Sequence, residues 1–257
     1  MEYQTIKGEK VPSLGLGTYR LTGEACMRAV ERALSIGYRH VDTAQMYGNE
    51  AEVGQGIKAS GVDREEVFIT TKIWPSEFGR DRVIRTTRES LRKLGTDHVD
   101  LLLMHWPPNG NTPLGETLGA MRELQEEGGV RRIGVSNFST ALVEEATEHA
   151  EIFCNQVEYH PYRDQSEVLD QALMMDYLLT AYRPLSRGGA GDDATLGKIG
   201  EAHGKTAAQV ALRWLIQQEK VSAIPKASSE DHLEANLDVF DFELSEEEMD
   251  RISGLRR

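Results

Sequence analysis

The sequence is poor in sulfur: Cys26 and Cys154 are its two cysteines, and they do not form a Cys-x-x-Cys pair. That is too few for a disulfide scaffold and the wrong spacing for a structural zinc or a redox dithiol, so no metal is expected. Basic charge is scarce too. Against 42 Asp and Glu stand 29 Lys and Arg, for a formal net charge of −13, and 9 of the bases are lysine. With no basic run among them, nucleic acid is a poor partner. Long apolar runs are also missing. None approaches the roughly 20 residues of a spanning helix, and the polar start MEYQTIKGEK has no apolar stretch of the kind a signal segment carries. The expectation is a soluble cytoplasmic protein with no membrane and no nucleic acid, working as a monomer on a small molecule.

What is present reads as an ordinary globular chain. Its 257 residues, 39% apolar and 28% charged, suffice for a sizeable core. Short β-rich runs alternate with longer amphipathic segments. The runs expected as strands are Leu14–Gly17, Tyr38–Asp42, Phe68–Lys72, Val99–Met104, Arg132–Ser136, Phe153–Glu158, Tyr177–Ala181 and Ser222–Ile224. Between them, Gly23–Ser35 puts Ala25, Ala29, Val30, Ala33 and Leu34 on one helical face, and Val83, Ile84, Leu91 and Leu94 form another. Thr206 with Gln209 and Ser245 with Glu248 have capping-box spacing, and Gly37, Gly95 and Gly129 stand where helices should end.

Eight strand signals, each followed by a helix, require parallel strands with crossovers. The predicted fold is therefore α/β, a single-domain (β/α)8 TIM barrel over residues 1–257. An open doubly wound sheet is the rival, but its G-x-G-x-x-G turn is absent: Gly15 and Gly17 are followed by Arg20. Tyr3 to Pro12 is expected as a short N-terminal hairpin on the barrel floor, and RGGAGDD at 187–193 as a loop after strand seven. The last helical pattern, Ser245–Ile252, leaves only Ser253-Gly-Leu-Arg-Arg257. Residues 227–250 carry ten carboxylates and no Lys or Arg. They read as a solvated helical face, or alternatively as adaptation to a saline interior.

A barrel gathers its chemistry at the C-terminal ends of its strands. There stand Asp42, Lys72, His105, Ser136 with Asn137, Gln156 and Tyr182, with spacings of 30, 33 and 31 residues from Asp42 through Ser136. Each has a plain structural alternative: a helix cap, a surface cation, a core histidine, a turn. Their coincidence at successive strand ends favours one bowl. A lysine there needs a counter-ion, which Asp42 on the adjacent strand can supply. Tyr47, in the next loop, can then meet the ammonium, and a nearby cation lowers a phenol's pKa from about 10. The result is a proton donor for a carbonyl oxygen, with His105 as an orienting hydrogen-bond donor.

The motifs GLGTY from Gly15, DTAQMYGNE from Asp42, TKIW from Thr71, LMHWP around His105, GVSNF around Ser136, NQVEYH from Asn155 and IPK ending at Lys226 together resemble the aldo-keto reductases. Within that family they are similar to the short prokaryotic 2,5-diketo-D-gluconate reductase-like members. The resemblance implies reduction of aldehydes or ketones, with substrates of the 2,5-diketo-D-gluconate or methylglyoxal type, by a nicotinamide cofactor bound without a Rossmann domain. It assigns Tyr47 as general acid, Lys72 as its pKa modifier, Asp42 as the partner of Lys72, and His105 as the orienting donor. Gly17, Thr18, Ser136, Asn137, Gln156, Tyr182, Pro184, Leu185 and Ser186 would lie along the cofactor. Longer family members carry a C-terminal tail that folds over the substrate, so the resemblance implies a truncated C-terminal tail here and a more open pocket.

At the adenosine end Lys226 and Asn236 fit the pattern. Ala227, His232 and Ala235 replace the Ser, Arg and Glu that family members often carry. Lys226 follows strand eight, where barrels bind phosphate, and Ser228-Ser229 should open a helix. NADPH is the expected cofactor and NADH the other possibility, with His232 holding a phosphate only while protonated. Tyr19, Met46, Trp74 and Trp106 are expected to wall an apolar pocket, unless they only pack the rim. A nicotinamide-binding regulatory subunit with slow turnover is the alternative function.

Overall fold

The computed structural model describes residues 1–108, 110 and 112–256. It opens with an antiparallel hairpin of β1 (Tyr3–Ile6) and β2 (Glu9–Pro12). Eight parallel strands follow: β3 (Leu16–Gly17), β4 (His40–Asp42), β5 (Phe68–Ile73), β6 (Val99–Met104), β7 (Val130–Ser136), β8 (Ile152–Glu158), β9 (Leu178–Tyr182) and β10 (Val221–Ala223). The crossovers carry α1 (Gly23–Ser35), α2 (Glu50–Ser60), α3 (Arg80–Leu94), α4 (Leu114–Glu126), α5 (Thr140–Thr147), α6 (Ser166–Met175), α7 (Ala194–His203) and α8 (Ala207–Ile216). After β10 come α9 (Glu230–Leu237) and α10 (Glu246–Ser253).

The strands hydrogen-bond in chain order, and the last returns to the first. Leu14 bridges Ala223 in parallel, Gly15 N–H donates to the Ala223 carbonyl at 2.9 Å, and Gly17 N–H donates to the Pro225 carbonyl at 3.0 Å. The sheet is therefore a closed (β/α)8 barrel, as the eight strand signals require. A Cβ on Gly17 would lie 2.7 Å from the Ile224 carbonyl oxygen, so the seam closes only over a glycine there.

The hairpin forms the floor. Ile6 and Val11 are fully buried and pack against the inward-facing Leu101 and Leu103 of β6, Phe153 and Cys154 of β8 and Leu178 of β9. Leu102 and Met104 instead join the layer under the helices, as the two-residue period of a strand demands. Gln4 ties the hairpin down by donating to the Ile216 and Gln218 carbonyls and accepting from Lys220 N–H. Above this apolar plug lies a polar layer, where His40 meets Thr70 at 3.1 Å and Thr180 links Cys154 with Ser222.

Several local expectations shift. Both capping boxes form, at Thr206 and Ser245. Gly95 closes α3 in the left-handed region, but Gly128 rather than Gly129 takes that conformation after α4, because the helix stops one residue earlier than its pattern suggests. On α1 Ala29, Val30, Ala33 and Leu34 are buried as expected, but the first position of the stripe is Cys26, while Ala25 is exposed. The acidic run is partly paired, since Arg32, Lys205 and Arg213 reach Glu230, Glu234, Asp238, Asp241 and Glu243. Among the described residues no helix is long and apolar enough to cross a membrane.

Because Ile6 is held by the barrel interior, Ile6→Ala should lower stability by about 2–5 kcal/mol in urea unfolding. The bowl at the opposite end should keep its activity in native buffer. A loss below about 1 kcal/mol would mean that the hairpin is not part of the core.

Candidate active site

Lys72 is the centre of the bowl. β5 turns Thr70 and Lys72 into the barrel, whereas Thr71 faces outward and donates to Glu50 Oε1 at 2.7 Å. The Lys72 side chain is 1% exposed, and an ammonium has three N–H donors. One goes to Asp42 Oδ1 at 2.5 Å and a second to the Thr43 carbonyl at 2.8 Å. The third adjoins the Tyr47 phenol, whose ring centroid lies 5.2 Å from Nζ. Asp42 is equally buried, and its other oxygen accepts from Gln156 Nε2 at 2.8 Å. Both carboxylate oxygens are thus bonded, which is the condition under which a buried ion pair holds.

Tyr47 comes from a short 3₁₀ turn, Gln45–Tyr47, that follows β4 and ends at Gly48 with φ 66°. Asn49 pins this loop. Its Nδ2 donates to the Thr18 and Leu21 carbonyls at 3.0 and 2.9 Å, and its Oδ1 accepts from Thr43 at 2.7 Å. Thr18 in turn donates its hydroxyl to the Asp42 carbonyl. Tyr19 stacks obliquely on Tyr47 at 5.0 Å, and His105 meets it edge-on at 5.7 Å. Trp74 packs on the other side of His105 at 5.1 Å.

The charge states follow from burial. Desolvation raises the Tyr47 phenol above its ordinary value; Lys72 draws it down, and Asp42 opposes Lys72. The net direction is upward: Lys72 depresses the phenol as expected, but loss of water outweighs the cation, so the expected net lowering is not met. Tyr47 is therefore a neutral phenol with a proton to give. Burial by itself would lower the Lys72 ammonium, but Asp42 and Tyr47 more than offset this and raise it. His105 is driven down to about 3, by burial first and Lys72 second, and is a neutral imidazole whose buried Nδ1 has no partner.

Around this core the remaining strand-end residues are joined to one another. Ser136 donates to the Gln156 carbonyl at 2.8 Å, and Asn137 Nδ2 donates to Ser136 Oγ and the His105 carbonyl. Tyr182 donates its hydroxyl to Asn137 Oδ1 at 2.8 Å. Pro184 is buried and Leu185 and Ser186 half-buried, on a loop with left-handed Arg183, Ser186 and Arg187. Lys226, Ser228 and His232 lie exposed beyond β10, and Ser229, not Ser228, caps α9. Asn236 is apart from these, buried beside the Tyr38 hydroxyl. Tyr19, Met46 and Trp106 are 40–43% exposed, so they stand at an open rim rather than within a closed wall, with Trp74 half-buried beside them.

Sequence reasoning passed over Thr43 and Asn49. Asn49 precedes α2, yet its side chain makes no capping bond and braces the Tyr47 loop instead. Thr43 acts through its backbone carbonyl, for which no residue type is a signal. Among the described residues no group of three or more His, Cys, Asp or Glu is placed to hold a metal ion.

The model of the Aldo/keto reductase family matches residues 13–257. The chain belongs to that family. A glyoxal reductase of Bacillus subtilis is 42% identical over 253 residues, 97% of this chain and 91% of the relative. The methylglyoxal reductase DkgB of Escherichia coli O157:H7 is 41% identical over 249 residues, covering 95% and 93%. A crystal structure assigned as a 2,5-diketo-D-gluconic acid reductase B is 48% identical, with a TM-score of 0.97 over 100% of this chain and 92% of its own. This aldo-keto reductase is an oxidoreductase that acts on carbonyls, and family members use nicotinamide cofactors.

Two of the buried histidines of the reductase, His40 and His105, make its stability pH-dependent. His40, like His105, is lowered to about 3, by burial and then Lys72. Both titrate from 6.5 when unfolded, so unfolding takes up protons below that pH, and stability is lost as pH falls from 6.5 toward 3. Each should contribute a slope of about 1.4 kcal/mol per pH unit. Urea midpoints at pH 7, 6 and 5 should fall accordingly, and His40→Gln should flatten the slope by one histidine's share. An unchanged slope would place a charged His40 in the folded chain.

Proposed function

We propose that the chain reduces small aldehydes and ketones with NADPH, with Tyr47 as the proton donor. The observation that carries this reading is the three-way junction at Lys72, which joins a buried carboxylate to a neutral, largely buried phenol. A carbonyl oxygen that gains charge needs a proton. A phenol kept protonated by burial, with an ammonium beside it to receive the phenolate, can deliver one. His105, neutral and next to Tyr47, would donate a second hydrogen bond to the same oxygen.

The donor set suits a nicotinamide carboxamide, which needs both a donor and an acceptor: Asn137 and Gln156 carry both, and Ser136 a hydroxyl between them. Gln156 can accept from the carboxamide through its amide oxygen while its Nε2 stays on Asp42, and Asn137 would exchange its bond to Tyr182 on binding. The Tyr182 ring would supply a flat apolar wall, and Pro184, Leu185 and Ser186 would flank the pyrophosphate, with Gly17 and Thr18 at the barrel seam. Lys226 and Ser228 would meet the adenosine phosphate. When bound, the nicotinamide supplies the hydride. Trp74, Trp106, Tyr19 and Met46 would line the substrate's approach. The exposure of that rim, with relatives named for glyoxal, methylglyoxal and diketogluconate, supports short dicarbonyls and keto-sugars as the substrate class.

Tyr47→Phe should lower kcat for methylglyoxal by about 10²–10⁴ while the affinity for NADPH stays within about threefold. Lys72→Met should do the same. Turnover of Tyr47→Phe near the parent rate would assign the proton to another group.

A further inference from the structure

On the outer face, where α1 runs beside α9, lies a cleft of about 400 Å³ that takes no part in the bowl. Glu24, Arg28 and Arg32 of α1 line one side, and Ser228, Glu230 and Leu233 the other. It opens two residues from Lys226. From Lys226 to residue 250 the chain offers no further Lys or Arg and ten carboxylates, so a phosphate arriving here must take any counter-charge beyond that of Lys226 from another element. α1 brings two guanidinium groups to that place.

These groups are held in a way that a phosphate can replace. Arg28 pairs with Glu24 at 2.5 Å, and Arg32 Nη2 is shared between Glu230 Oε1 at 2.5 Å and Glu234 Oε1 at 2.7 Å. Arg32 Nε is buried and has no acceptor at all. Two carboxylates thus compete for one nitrogen while another donor of the same fork goes unused. A phosphate monoester has three acceptor oxygens and a charge of about −1.5 to −2, which a guanidinium grips with two parallel bonds. The first turn of α9 adds N-terminal backbone dipole to the same wall.

We propose that Arg32, assisted by Arg28, reads the ribose phosphate of NADPH, and that Glu230 is the internal competitor it must leave. Arg32 is thereby a specificity-determining residue for the cofactor, supplied from α1 in place of a cation on α9. This rests on the NADPH reading above, and it makes Glu230 a brake: the carboxylate that steadies Arg32 in the free protein opposes the phosphate.

The test is equilibrium binding of NADP⁺, NAD⁺ and 2′-AMP, followed by quenching of tryptophan fluorescence for the dinucleotides and by calorimetry for 2′-AMP. Arg32→Met keeps the aliphatic stem and should weaken NADP⁺ and 2′-AMP by about tenfold or more, with NAD⁺ unchanged. Glu230→Gln should tighten NADP⁺ severalfold, again without effect on NAD⁺. A parent that prefers NADP⁺, with both variants keeping its NADP⁺ to NAD⁺ ratio, overturns the role of Arg32 and leaves the NADPH reading intact. A parent that binds both dinucleotides equally overturns the NADPH reading, and this inference with it.

Discussion

The structure depends on one buried ion pair. Lys72 and Asp42 sit side by side on adjacent strands, each with about 1% of its side chain exposed, in a part of the barrel where an unpaired charge could not be tolerated. Three polar groups are arranged to satisfy them: the Thr43 carbonyl, the Gln156 amide and the Tyr47 phenol. The same cation keeps His105 neutral from one side while burial does so from the other. Removing either partner would leave a buried charge without compensation, at a cost of about 3–5 kcal/mol. The pair is the most demanding element of the fold, and the proposed chemistry is built around it.

A barrel interior that holds charge at one end must be sealed at the other. The hairpin does this by placing Ile6 and Val11 against Leu101, Leu103 and Leu178, so that water is kept from below. Between plug and bowl lies the layer of His40, Thr70, Thr180 and Ser222, whose hydroxyl and imidazole groups bond mainly to one another. Closure at the Leu14–Ala223 seam fixes the strand ends around the ring. The result is a graded interior that runs from apolar floor through neutral polar middle to an ionised top.

Much of this was legible in the residues. The strand runs, the barrel, the hairpin and the meeting of Asp42, Lys72, Tyr47 and His105 follow from periodicity and from the strand-end rule, because both depend on short-range pattern. The misses have physical causes. The pKa direction of Tyr47 turned on how completely the loop excludes water, which spacing does not convey. Ala25 and Gly129 were each off by one residue, since a helix's rotation and stop are decided by packing. Arg32 and Glu230 lie 198 residues apart in sequence, and nothing local announces that α1 and α9 share a cleft.

The central claim is that burial keeps the Tyr47 phenol protonated while the Lys72 ammonium lies beside it. Alkaline difference titration at 295 nm, with Tyr47→Phe subtracted from the parent, reports that one phenol. It should ionise above the ordinary value of 10.0 in the parent. In a Lys72→Met background, with its own Tyr47→Phe reference, it should ionise higher still. A Tyr47 that ionises below 10, or that does not respond to loss of Lys72, would contradict the account.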